Sequence, residues 1–161
     1  MALWLLRHGS AEDNAVDAAR PLTRDGRAEV EAVAAALARL GVRPATILHS
    51  GKLRAVQTAE IVATALGMLA QRAEGLGPND DVEPWAARTA EEHSDLMLVG
   101  HLPYLERLAS RLVCGDTDTG VLRFAPAAVA LLEHRGDWRV EWLLTPRLAG
   151  ASSPDRAGEM S

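Results

Sequence analysis

Leu3-Trp4-Leu5-Leu6-Arg7-His8-Gly9 stands almost at the start of the 161-residue chain. Four consecutive apolar residues without polar alternation read as a short buried strand, and the abrupt change to Arg-His-Gly marks its exit. Two further runs repeat the pattern. Thr46-Ile47-Leu48-His49 leads into Ser50-Gly51, with Arg54 one turn into the next helical segment, and Leu96-Met97-Leu98-Val99 leads into Gly100-His101.

Helical signals fill the spaces between these runs. Thr23 is a fitting N-cap, Asp25 suits the positive end of the helix dipole, and Val30, Val33, Ala34, Leu37 and Leu40 recur at helical spacing until Gly41. Ala55 to Leu66 carries the same period until Gly67. Gln71 to Glu74 reads as a minor strand, and the Gly-, Pro-, Asn- and Asp-rich Gly75 to Asp81 as a loop. Val82 to Glu92 reads as a helix with Pro84 in its first turn, and Tyr104 to Val113 as another, opened by Pro103. The last third reads as strands at Gly120 to Phe124, Ala128 to Glu133 and Trp138 to Leu144, the final two joined by a hairpin at Gly136. Alternating strands and helices predict an α/β fold: a mixed, mainly parallel sheet of five or six strands, helices on both faces and an antiparallel edge. One domain over residues 1–147 and a flexible C-terminal tail over 148–161 are expected.

Composition bounds the function. The net charge of −5 argues against a general nucleic-acid binder. No apolar run approaches the ~20 residues that span a bilayer, and the N-terminal run lacks the form of a signal peptide, so a soluble, cytoplasmic protein is expected. The single cysteine, Cys114, permits no intrachain disulfide and no multi-cysteine zinc site; it reads as a small buried residue. Arginines number 16 against one lysine, Lys52. Most read as solvated background, including Arg24, Arg27, Arg39 and Arg43 on the first helix. His49 reads as structural, His93 and His134 as exposed. The four tryptophans read as core and rim, with Trp85 able to border a site, and Glu91, Glu92 and Asp95 as a solvated helix end.

Arg7, His8, Arg54 and His101 differ from that background by position. Ligand sites of open parallel sheets lie outside the carboxyl ends of the strands. Those four residues can therefore converge on one crevice. Guanidinium forks match phosphate oxygens, and an imidazole can act as nucleophile toward phosphorus or as proton donor.

Arg7-His8-Gly9, the block Ser50-Gly51-Lys52-Leu53-Arg54-Ala55-Val56-Gln57-Thr58-Ala59, and Val99-Gly100-His101 together resemble the signatures of the histidine phosphatase superfamily, the phosphoglycerate mutase-like proteins. Arg20-Pro21-Leu22-Thr23 with Gly26, and His101-Leu102-Pro103, are similar to segments of its SixA-type phosphohistidine phosphatases. The resemblance runs from about Leu3 to Pro146. It implies a three-layer α/β/α sandwich and a cofactor-free, metal-independent phosphatase. It also implies roles. His8 would be the nucleophile that becomes transiently phosphorylated, Arg7 and Arg54 would clamp the phosphoryl oxygens, and His101 would donate hydrogen bonds to them. Gly9 would let the backbone pass close to the phosphate. Asn14 stands seven residues after Arg7, the offset at which the mutase branch has a phosphate-touching asparagine, and Ser10 adjoins the pocket.

The general acid of many family members has no clear match. Leu76 to Asp81 resembles the corresponding SixA-type loop, with Asp80 in place of a glycine; Asp81 is the candidate acid and Glu83 stands behind it. An alkoxide leaving group needs a proton, whereas the imidazole of a phosphohistidine departs neutral, its conjugate acid having a pKa of ~6.5. A site without a dedicated acid therefore favours phosphoramidates. The short span between Leu66 and Leu96 implies an uncovered site, suited to a phosphohistidine protruding from a signalling or phosphorelay protein, or to a small phosphorylated metabolite. The alternatives are a small-molecule phosphomonoesterase of the same superfamily and a non-catalytic phosphoryl-binding module. The acidic chain and few aromatics suit a monomer.

Overall fold

The computed structural model describes residues 1–152. The elements run β1 (Ala2–Arg7), α1 (Arg24–Arg39), β2 (Thr46–His49), α2 (Leu53–Leu66), β3 (Ala70–Arg72), α3 (Glu83–Glu91), β4 (Leu96–Gly100), α4 (Tyr104–Cys114), β5 (Val129–His134) and β6 (Trp138–Leu144). They form a six-stranded sheet in the order β3-β2-β4-β1-β5-β6. The first four strands are parallel, and β5 and β6 add an antiparallel edge.

Alternation along the buried strands builds the two cores. Trp4, Leu6, Ile47, Met97 and Val99 face α1 and α2, whereas Leu3, Leu5, Leu48, Leu96 and Leu98 face α3 and α4. The result is the expected three-layer α/β/α sandwich. Thr23 caps α1 by accepting from Gly26 N at 2.9 Å, and Gly67 ends α2 in the left-handed conformation. Gly26 is required by a close approach: a Cβ there would collide with the Ser10 carbonyl, so the chain leaving β1 lies directly on the first turn of α1.

Register brings the strand ends level. Arg7 pairs with Gly100 and His49 with Val99, so His8, Ser50 and His101 all follow at the same edge of the sheet. α1 leaves β1 toward one face and α4 leaves the neighbouring β4 toward the other. A crevice opens between two such diverging connections.

Gly120 to Phe124, expected as a strand, is an extended loop outside the sheet. Side chains of α4 satisfy its amides instead of a neighbouring strand: Val121 N donates to Ser110 Oγ and Phe124 N to Glu106 Oε1, both at 3.2 Å. Residues 148–151, expected within a tail, are tied back by turn hydrogen bonds from Ala149, Gly150 and Ala151 to Thr145, Arg147 and Pro146. The rest of the expected tail, 153–161, lies outside the described residues. Cys114, expected buried, is exposed at the last position of α4, where the helix has left the sheet. His134 is half-buried against Trp138, ring centroids 5.1 Å apart. Trp85 belongs to the core, its Nε1 donating to Glu74 O at 3.0 Å.

Candidate active site

At the carboxyl edge of the sheet the rings of His8 and His101 lie 5.0 Å apart, centroid to centroid. They come from adjacent strands, and His8 N donates to Gly100 O at 3.0 Å, which locks β1 to β4 at this point. Nδ1 of His8 is 2.7 Å from its neighbour Gly9 O. A carbonyl only accepts, so Nδ1 carries the proton and Nε2 keeps its lone pair. Burial, followed by the charges of Arg54, Arg7 and Arg20, pushes the pKa of His8 down to about 4 despite the Gly9 bond. The ring is neutral at pH 7 and has the electronic form of a nucleophile.

His101 is almost wholly buried, and its Nε2 lies 2.6 Å from Ser50 Oγ. Burial, then His8, Arg54, Lys52 and Arg20, lower its pKa to about 3. Its Nδ1 is buried without a hydrogen-bond partner among the described residues, as are Nε of Arg7 and Nε of Arg54. Leaving a buried polar group unpaired costs about 1–3 kcal/mol. The charges of Arg54 and Arg7 bear on the neutral His8 ring, a combination suited to a phosphoryl oxyanion. Arg7 is aimed by its Nη1, which donates to Phe124 O at 2.8 Å.

A third guanidinium joins them. Arg20 sits at φ 50°, its Nε donates to Glu12 O at 3.1 Å, and its charge bears on His8, His101 and Arg54. Its segment was visible in sequence as Arg-Pro-Leu-Thr, but its place beside the two histidines was not. Gln57 and Thr58 hold this arrangement together. Gln57 Oε1 accepts from Leu22 N at 2.8 Å, and Thr58 Oγ1 accepts from Gly9 N at 3.1 Å while donating to Arg54 O at 2.7 Å. The Gly9 amide, expected near the phosphate, is thus committed to Thr58. The space a Gly9 Cβ would fill is taken by Val30 and Gly26 of α1, 2.7 and 3.0 Å away.

His49 is structural, as expected: its Nδ1 accepts from Gly51 N at 3.1 Å and fixes the turn that presents Ser50. Asn14 is exposed in a turn. Ser10 bonds Glu29. Asp81 is exposed and accepts from Glu83 N at 3.0 Å, at the start of α3. Glu83 is paired with Arg111 of α4 through contacts of 2.6 and 3.1 Å. The charges bearing on His8 and His101 are cationic; no carboxylate is among them. Among the described residues no group of three or more His, Cys, Asp or Glu could hold a metal ion.

Residues 3–95 match the histidine phosphatase superfamily (branch 1). The chain is 32% identical over 153 residues to the phosphohistidine phosphatase SixA of Escherichia coli strain K12, covering 91% of this chain and 94% of that protein. The chain belongs to the histidine phosphatase superfamily. An uncharacterized protein of Picosynechococcus sp. is 41% identical over 125 residues, 73% of this chain and 76% of that one. The solved structure of a protein histidine phosphatase SixA complexed with tungstate superposes with a TM-score of 0.80 at 31% identity, covering 91% of this chain and 98% of that one. The chain is a phosphatase of the SixA-type branch, with the phosphoglycerate mutase-like fold. No described helix is long and apolar enough to cross a membrane.

Proposed function

We propose that this phosphatase hydrolyses phosphohistidine on a signalling or phosphorelay protein, through a transient phosphohistidine on His8 and without a metal. The observation that carries this reading is the state of His8: neutral, its proton held on Nδ1 by Gly9 O, its Nε2 without a partner among the described residues, and the charges that bear on it from those residues cationic.

Arg7, Arg54 and Arg20 draw in the phosphoryl group and spread its charge, doing the work a metal would do elsewhere. Nε2 of His8 attacks phosphorus, and the P–N bond to the substrate breaks. The substrate ring, protonated on its distal nitrogen, departs as neutral imidazole, so no acid need supply a proton to the leaving atom. His101 meets the phosphoryl dianion as imidazolium, since a nearby dianion favours the charged ring; its Nε2–H donates to Ser50 Oγ, which holds the ring in place. In the second step water attacks phosphorus, its proton goes to the phosphate product, and His8 leaves. Because Gly9 O still holds the Nδ1 proton, His8 leaves as the same neutral tautomer.

A phosphomonoester would ask for a carboxyl group at the leaving oxygen, and Asp81 and Glu83 are engaged elsewhere. The kinship with SixA of E. coli supports the phosphohistidine reading over that alternative. The test is a substrate panel of phosphohistidine protein, phosphoramidate and phosphomonoesters, with acid-labile phosphate trapped on the enzyme. Label on wild type and none on His8→Ala is expected. Full turnover by His8→Ala, or a preference for phosphomonoesters, overturns the proposal.

A further inference from the structure

We infer that a trench beside the His8–His101 pair receives the residues flanking the phosphohistidine, and that Lys52 and Arg72 on its wall select an acidic side chain there. The inference rests on the phosphohistidine reading above and adds the kind of partner surface the enzyme accepts.

The trench encloses about 430 Å3 between the β2–α2 loop, Ser50 to Lys52, and the β3–α3 loop, Glu74 to Asp80. That volume accommodates a few side chains. It adjoins the reacting centre directly. Ser50 is part of its wall and also bonds His101 Nε2, and the charge of Lys52 bears on His101. A phosphohistidine seated against His8 and His101 therefore brings its own chain to this opening.

The charges in the trench are not equally free. Asp80 Oδ2 accepts from Gly77 N at 2.7 Å, which turns that carboxylate onto its own loop. Glu74 is paired with Arg72 at 3.2 Å. Lys52 forms no ion pair among the described residues. Arg72 is held from a second side: its Nε lies 2.9 Å from where a Cβ on Gly51 would stand, and Gly51 has φ 86°. The guanidinium thus rests on bare backbone at the entrance to the trench. Its pair with Glu74 is solvent-exposed on both sides, and such pairs exchange readily for another carboxylate. A guanidinium fork and an unpaired ammonium on one wall form a carboxylate receptor.

The experiment uses three peptides carrying a non-hydrolysable phosphonate analogue of phosphohistidine, flanked by Asp/Glu, by Ala or by Lys. Binding to the full chain is measured by calorimetry at low salt, with hydrolysis of the matching phosphohistidine peptides followed in parallel. The acidic peptide is expected to bind about three- to fivefold more tightly than the alanine peptide, a ratio of the size one added exposed ion pair supplies, since Arg72 exchanges one pair for another. That ratio should fall to about one in Lys52→Ala/Arg72→Ala and invert toward the lysine peptide in Lys52→Glu/Arg72→Glu. Equal binding by wild type, a preference for the lysine peptide, or a ratio that survives the double alanine variant overturns the inference. Selective binding without hydrolysis of any phosphohistidine peptide would sink the proposed function and leave the trench assignment standing. Failure of every peptide to bind overturns both.

Discussion

Ser50 Oγ lies 2.6 Å from Nε2 of His101, so a hydroxyl at the end of β2 fixes the ring that follows β4. The hydroxyl also accepts from Lys52 N at 3.4 Å, and Gly51 N donating to His49 Nδ1 at 3.1 Å holds the turn that presents it. Ser50→Ala removes the bond and leaves the ring free to rotate. We expect kcat to fall about tenfold, in line with one lost hydrogen bond of about 1–1.5 kcal/mol, with little change in Tm. A kcat within twofold of wild type would show that packing alone orients His101.

Arg54 reaches the cluster from the first turn of α2, and its buried Nε lacks a partner among the described residues. Arg54→Ala should raise the barrier by about 2–4 kcal/mol, as loss of one oxyanion donor does, seen as a fall in kcat rather than in KM alone. Arg54→Lys keeps the charge but not the fork, and is expected to recover only part of the loss. Complete recovery would reduce the guanidinium to a point charge.

Asp81 is tied to the start of α3 and does not bear on either histidine. Asp81→Asn should therefore leave phosphohistidine turnover within about threefold of wild type, well short of the 10²–10⁴-fold supplied by a general acid. Rates compared on phosphoramidate and on a phosphomonoester settle the point: a hundredfold loss on both would make Asp81 the acid.

His8 and His101 titrate near 4 and 3, chiefly because burial disfavours the imidazolium. For His8 the sign is plain: the proposed nucleophile is lost as pH falls, so the acid limb of kcat/KM should lie near 4 rather than near the ordinary histidine value of about 6.5. Stability follows the same sign. Below about 6.5 the unfolded chain takes up protons while the folded rings remain neutral, so stability declines as pH falls from there toward 4. A bound dianion favours the imidazolium, so tungstate binding at about pH 6 should take up protons, readable by calorimetry in two buffers of different ionisation enthalpy. An acid limb at 6.5 with no proton uptake would contradict the buried, cation-ringed state of both rings.

The strands that carry Arg7, His8 and His101 were legible in sequence because each is a compact apolar run with a sharp polar exit. The loop at Gly120 to Phe124 was not, because its local pattern is that of a strand while its amides bond Ser110 and Glu106 of α4, residues set beside it only by the tertiary fold. Cys114 misled for a related reason. A small apolar residue at the end of a helix is buried or exposed according to where that helix leaves the sheet, which local sequence does not record.

The site divides the same way. The apolar periods, the caps at Thr23 and Gly67 and the blocks around His8, Arg54 and His101 are local features, and the sequence by itself determined the α/β class and the members of the basic cluster. Tertiary structure decided their chemical states. The proton on His8 Nδ1 follows from the position of Gly9 O, and the low pKa values follow from burial among three guanidiniums. Arg20 joined the cluster, and Glu83 was withdrawn toward Arg111, through contacts between residues remote in sequence. Desolvation and Coulomb energy depend on distances in space, and those exist only once the sheet register has brought the strand ends level.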